Sequence, residues 1–323
     1  MTDSLRWLNS RVTRHTGAFD DMRRHIPSFE RRPFALSDPA HEHFRQNLRL
    51  DTVVRRPHDD DRDYVPVGVV SKDYALLPHT AVFDAAVEAF DDAGIDPASV
   101  TADLRITELG ERMSLGLDLP DNYLFDPGDK FPMTVRLECL NSVDGSTRFR
   151  ASMGWFRLVC SNGMGFGITQ SEANRRHVGD LQLAHIGDVL GAGLTDYKAE
   201  RKNMTRWMGC DVSLDAISDW ADSDVLRAWG FKAATRAFHI SHCGRDAAVR
   251  GPYKHRLPTT VPVRLTNDVP GSEGEATNLF DASQVLAWLA KERRDLQEQV
   301  EWREQIPALV NALEVRARSL VPA

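Results

Sequence analysis

Apolar residues between Tyr64 and Met164 recur at two different spacings. Val65 to Tyr74 is a short β-prone run with Pro66 near its start, a position an edge strand tolerates. From His79 to Ala93 the spacing changes. Val82, Phe83, Ala86, Val87 and Phe90 fall at helical intervals, and Gly94 supplies the stop. Alternation returns at Asp103–Asp118, which predicts a hairpin turning at Gly110, and again from Thr134, in a longer hairpin turning at Asp144-Gly145 whose alternation blurs beyond Trp155. Asp-Gly between β-prone runs signals a tight turn, because a type I′ turn needs positive φ at both central residues. On the second strand of that hairpin, Phe149, Ala151, Met153 and Trp155 share one face, and Arg148, Arg150, Ser152 and Gly154 share the other.

Beyond Gly167 the period becomes helical. One helix is predicted from Leu181 to about Trp207, on Leu183, Ile186, Leu190, Leu194 and Tyr197. Ser213 and Asp222 are N-cap types for the next two segments, the longer carrying Val225, Leu226, Trp229, Ala233 and Ala237. Residues 250–278 read as loop with a short edge strand at Val261–Leu265, Asp281 or Ser283 opens a last helix through Leu296, and Pro307 interrupts the tail. The fold class expected is α+β: a curved antiparallel meander of hairpins packed with helices, then a mainly helical C-terminal half. Three parts follow: an arginine-rich arm over 1–62, broken by Pro27, Pro33, Pro39 and Pro57; a sheet core over 63–170; and helices over 171–323 packed on that core.

Composition narrows the function classes. With 42% hydrophobic and 27% charged residues, the chain suits one or two globular domains. No apolar run approaches the roughly 20 residues of a membrane span, and Met1–Leu8 lacks a basic-then-apolar leader, so the expected compartment is the cytoplasm. Cys139, Cys160, Cys210 and Cys243 form no Cys-x-x-Cys pair and no disulfide framework. A net charge of −7 excludes a protein that coats nucleic acid with its whole surface and confines any such contact to a local patch.

Such a patch is present in the sequence. Arg148, Arg150 and Arg157 lie on or beside the long hairpin, Arg175 and Arg176 follow, and Lys198, Arg201, Lys202 and Arg206 lie on the next helix. Lys198, Lys202 and Arg206 are spaced by four and share a face. Phosphates are the ligand that locally dense cations in an acidic chain suit best, and Trp155 or Phe156 could stack on bases. The same residues also read as a charged helix face over core aromatics. His239, His242 and Cys243 are a weaker, metal-type cluster, with His255 downstream but no HExxH pattern. The acidic run from His58 to Asp63 does not define a coordination cage. Ser161 lies outside any nucleophile elbow and Cys160 has no local base, so no catalytic residue and no cofactor is expected.

Several stretches carry a family resemblance: Val69-Val-Ser-Lys-Asp-Tyr74, Leu76-Leu-Pro-His79, Asn141-Ser142, Asp144-Gly-Ser146, Gly154-Trp-Phe-Arg-Leu-Val-Cys-Ser-Asn-Gly-Met164 and Asn278-Leu-Phe-Asp281. They resemble the phage- and plasmid-like family of domain of unknown function 932. That likeness implies a mobile-element setting, in DNA replication, recombination or conflict with host defences, and supplies no catalytic set. The order of elements from Tyr74 to Trp207 is also similar to that of ring-forming single-strand annealing proteins, a likeness of topology alone. The expected function is single-stranded DNA binding in annealing or recombination, with single-stranded nucleic acid as partner and self-association as a further expectation. The alternative is a protein-interaction module, in phage–host conflict or a defence assembly, that docks through the N-terminal arm.

Overall fold

The computed structural model describes residues 5–38, 43–58, 61–157, 163–166, 185–251, 253, 255–272 and 274–319. The chain divides into two units: Met1–Tyr123 with Val135–Met153 and Gly167–Thr195, and Leu124–Thr134 with Gly154–Phe166 and Asp196–Ala323. The architecture is a curled antiparallel sheet with helices, followed by a mainly helical C-terminal half.

In the first unit, the arginine-rich segment over 1–62 is largely strand where it is described. β1 (Arg6–Trp7) and β2 (Ser10–Ala18) pair with each other, and β2 also pairs antiparallel with β6 (Thr101–Thr107). β3 (Phe29–Asp38), β4 (His43–Arg55) and β5 (Val65–Ser71) form a separate three-stranded sheet. Trp7, Phe19, Met22, Phe29 and Val53 are buried. Among the described residues, six of the twelve arginines in this region stand in ion pairs: Arg14 with Asp103, Arg31 with Asp51, Arg32 and Arg56 with Glu30, Arg23 with Asp84, Arg55 with Asp61. Pro33 sits on the edge strand β3 where the register shifts, so its missing N–H costs the ladder little.

The main sheet runs β1-β2-β6-β7-β8-β9-β10, with β7 at Arg112–Asp118, β8 at Met133–Ser142, β9 at Arg150–Arg157 and β10 at Gly163–Phe166. Gly110 turns β6 into β7 with φ 80°, as its position predicts. The β8–β9 connection is longer than a two-residue turn. Only Gly145 has positive φ (77°), while Asp144 accepts from Ser146 N and Oγ at 3.0 and 2.6 Å and pairs with Arg112. That ion pair holds the carboxylate in an Asx turn and lengthens the loop. One face of β6–β8 is apolar (Ala102, Leu104, Ile106, Met113, Leu115, Leu117, all buried). α1 (His79–Asp92) buries Val82, Phe83, Ala86 and Phe90.

The second unit takes α2 (His185–Met208) from Asp196 onward, with α3 (Leu214–Trp220) and α4 (Leu226–Cys243). Ser213 caps α3 by accepting from Ala216 N. Asp222 is not a cap; it lies in a π-helical turn, Ala221–Val225, and accepts from Thr259 N and Oγ1 at 3.1 and 2.7 Å. β11 (Arg245–Ala248) pairs with β12 (Arg264–Asp268), slightly beyond the expected edge strand. The single last helix resolves into α5 (Leu279–Lys291), capped by Asn278 rather than Asp281, and α6 (Leu296–Ser319), opened by Asp295 accepting from Gln297 N and Glu298 N. Pro307 lies inside α6 without ending it.

Candidate nucleic-acid interface

The expected cation patch separates into surface and interior. On α2, Lys198, Arg201 and Lys202 are exposed, and among the described residues none makes an ion pair. Met204 and Trp207 bury the opposite side of the helix, and the half-buried Asp196 and Glu200 project away from the stripe. Lys198 Nζ lies 5.9 Å from the Tyr197 ring centroid, and the Arg201 guanidinium 5.4 Å from that of Phe125. In both contacts the charged head itself lies over the ring, and both side chains stay exposed. Arg206 is exposed but engaged: it pairs with Glu314 on α6 and takes the Asn203 side-chain oxygen at 2.9 Å. Its bond to Glu314 raises its pKa further. In the first unit, Arg148 is exposed in the β8–β9 loop and Arg150 is half-buried at the start of β9. Arg175 and Arg176, like Cys160 and Ser161, lie outside the described residues.

The other three predicted contacts belong to the core of the second unit, which corrects their assignment as ligand groups. Trp155, Phe156 and Arg157 are 0, 3 and 1% exposed. Trp155 meets Phe125 edge-on at 5.9 Å and tilts against Tyr197 at 6.5 Å, so no face is open to a base. Phe156 is covered by the Arg303 guanidinium, 5.0 Å from its centroid. Arg157 donates from Nε to Gln284 Oε1 at 2.6 Å, and its Nη2 pairs with Asp129 Oδ2 at 2.6 Å. It lies between the rings of Phe131 and Phe280. Gly271, at φ 78°, brings backbone against this guanidinium: a Cβ there would stand 3.0 Å from Arg157 Cζ. Asp129, Phe131 and Gly271 also line a cavity of about 250 Å³ with Ser272, Glu275 and Asp281. The sequence signal for this burial was the loss of alternation after Trp155.

A second group of charges, not singled out from sequence, lies on the other face of β6–β8. Register places Asp103, Gly116 and Glu138 in one row, Arg105 beside Ser114, and Asp118 beside Arg136. Arg136 grips Asp118 with two bonds of 2.6 and 2.7 Å and reaches Asp103 at 3.6 Å. Arg14 chelates Asp103 at 2.7 and 3.1 Å, and Arg105 adds 2.8 Å. Alternation of Asp103 and Arg105 with Ala102, Leu104 and Ile106 was the available signal. Burial alone would push the Asp103 carboxyl up, but Arg105, Arg14 and Arg136 together hold it below its usual value. A carboxylate depressed in the folded state stabilises the fold above its unfolded pKa, about 3.9 for Asp, and that stability is lost as pH falls through the folded value. The melting temperature of the wild type therefore drops below about pH 4, whereas Asp103→Asn melts lower at pH 7 and loses less on acidification. Parallel melting-temperature profiles for the two proteins would remove Asp103 from this role.

His239, His242 and Cys243 are the remaining candidates. Among the described residues no three His, Cys, Asp or Glu side chains are placed to hold an ion. The Cys243 thiol donates to the His239 carbonyl at 3.1 Å, His242 is exposed and stacks on Phe238, and burial with nearby His242 lowers the His239 pKa. His255 takes φ 59° in a separate loop.

Part of the family likeness, Tyr74, His79, Asn141, Ser142, Asp144 and Ser146, lies in the first unit. His79 Nε2 donates to the Gly110 carbonyl at 2.9 Å, and its Nδ1 accepts from Asn141 Nδ2 at 2.8 Å. Asn141 Nδ2 also donates to the Leu77 carbonyl at 3.0 Å. The Tyr74 hydroxyl donates to the Ser142 carbonyl at 3.2 Å, and burial followed by Asp144 raises its pKa. Arg112 joins Asp144 at 2.7 Å and Ser146 Oγ at 2.7 Å. A family model described as a domain of unknown function, DUF932, matches residues 66–292. The chain belongs to this family. The DUF932 match begins at the start of β5 and ends at the C-cap of α5, so β1–β4 and α6 lie outside it. No curated protein matches the chain, and no solved structure does. In this DUF932 chain Tyr74, His79, Asn141 and Ser142 lock a turn, a strand end and a helix start together.

Proposed function

We propose that this protein binds single-stranded nucleic acid without covalent chemistry, in an annealing or recombination process of a mobile element. The observation that supports the reading is the stripe of Lys198, Arg201 and Lys202: three exposed cations at i, i+3 and i+4, without ion pairs among the described residues, in a chain of net charge −7. A line of unneutralised cations backed by aromatic rings suits a phosphate backbone, and its spacing reads no base. Binding is electrostatic. Three phosphate contacts to a single strand give a slope of about −2 in log affinity against log salt, or roughly 20-fold weaker binding at 200 than at 50 mM. A fluorescence-anisotropy titration of an oligothymidine reads this. Lys198→Ala, Arg201→Ala and Lys202→Ala combined flattens the slope and leaves the melting temperature unchanged, because exposed substitutions shift stability little. Absence of binding at 50 mM salt, or a triple variant that binds like wild type, rejects the proposal.

One observation favours an additional interaction role. Leu36, Phe44 and Leu48 are large apolar side chains exposed on the β3–β4 ribbon of the N-terminal segment.

A further inference from the structure

The three-stranded sheet is incomplete along its length. Among the described residues β5 pairs with β4 over Leu50–Arg55 and not before it, so there β4 ahead of Leu50 pairs with β3 alone. A two-stranded ribbon is marginal in water unless one of its faces is covered. Here the register slips between Pro33 and Ala35, and Asn47 Oδ1 accepts from the N–H groups of Arg49 and Leu50 at 2.8 and 3.1 Å. This bulge turns Leu48 and Arg49 outward. Leu36, Phe44 and Leu48 are 64, 78 and 83% exposed. Arg49 is exposed beside them and makes no ion pair among the described residues. The ribbon therefore offers an aromatic and an aliphatic anchor flanked by positive charge, and its occupant has to present an apolar recess with a negative rim.

The same unit carries such a recess. A concavity of about 530 Å³ is lined by Ala85, Ala89 and Ala93 of α1 and by Gly187 and Gly191 of α2. A Cβ at Gly187 or Gly191 would meet no atom within 4 Å, so the floor is open at both positions. Its rim holds Glu88 and Asp92, both exposed and without ion pairs among the described residues, and Asp188. Pairing two β4 strands antiparallel about Asn47 would instead set Arg45 of one copy against Arg49 of the other, and like charges across strands repel.

We propose that the β3–β4 ribbon of one copy seats Phe44 and Leu48 in the α1–α2 recess of a second copy, with Arg49 against Glu88 and Asp92. The contact is head-to-tail. An open assembly keeps one ribbon unused at one end and one recess at the other until it continues or closes into a ring. This assembly is independent of the nucleic-acid reading, and its test contains no nucleic acid.

Sedimentation velocity on the full chain reads the outcome. Wild type sediments as species larger than a monomer, increasing with concentration. Phe44→Asp disables the ribbon and leaves the recess; Glu88→Lys with Asp92→Lys disables the recess and leaves the ribbon. Each variant alone is monomeric with an unchanged melting temperature, all three positions being exposed. Mixed in equal amounts they form a 1:1 heterodimer and nothing larger, because one functional ribbon meets one functional recess. Arg49→Glu repeats the ribbon test should Phe44→Asp fold poorly. Combining Arg49→Glu with Glu88→Lys and Asp92→Lys in one chain restores assembly. A monomeric wild type at all concentrations, assembly that survives Phe44→Asp, or a mixture that stays monomeric overturns the proposal.

Discussion

Arg157→Ala is expected to destabilise the second unit by about 2–3 kcal/mol, from a lost charge-assisted hydrogen bond and lost packing of an enclosed guanidinium, with the pairing to the one-third exposed Asp129 adding less. The substitution leaves the Asp129 carboxylate without its cation and Gln284 Oε1 without its donor, and opens a void between Phe131 and Phe280. Arg157→Lys keeps the charge but loses the planar fork, so its loss falls between wild type and alanine. Urea unfolding followed by far-UV circular dichroism measures both. The prediction separates two roles for one residue. A phosphate ligand on the surface would lose oligonucleotide affinity at unchanged stability; a buried strut loses stability first. A change below 1 kcal/mol accompanied by loss of binding would return Arg157 to the surface.

His79→Ala is the second large effect, about 3 kcal/mol, from two lost buried hydrogen bonds and the cavity left beside Phe29. His79 is the first residue of α1 and ties that helix to the β6–β7 turn through Gly110 and to the end of β8 through Asn141. The two bonds fit a neutral ring protonated at Nε2, because Asn141 can only donate from Nδ2. A double-mutant cycle with Asn141→Ala isolates the shared part, expected above about 1 kcal/mol for side chains in direct contact. Additive losses would show that the two residues act separately and that the cluster is no latch.

The hairpins at Gly110 and after Asp144, the α1 stripe, the Ser213 cap and the change to helix beyond the sheet were legible because each rests on local spacing and turn chemistry. Asn278 was not read as the α5 cap, since Asp281 and Ser283 are equally good cap types and only the bond from Asp281 N to Asn278 Oδ1 chooses among them. The N-terminal strands were hidden by composition. Arginine every few residues reads as solvated arm until its partners are known, and those partners lie far along the chain, as Asp103 does for Arg14 and Asp84 for Arg23.

By itself the sequence determined the period of each element, the turns and the local excess of cations between Arg148 and Arg206. Only tertiary structure decided which of those cations meet water. Arg157 and Lys202 are alike as letters, yet one is enclosed by Asp129, Gln284 and two aromatic rings while the other stands on an open helix face. The physical reason is that charge is a property of a residue, whereas its desolvation and neutralisation are set by neighbours that packing brings from distant parts of the chain.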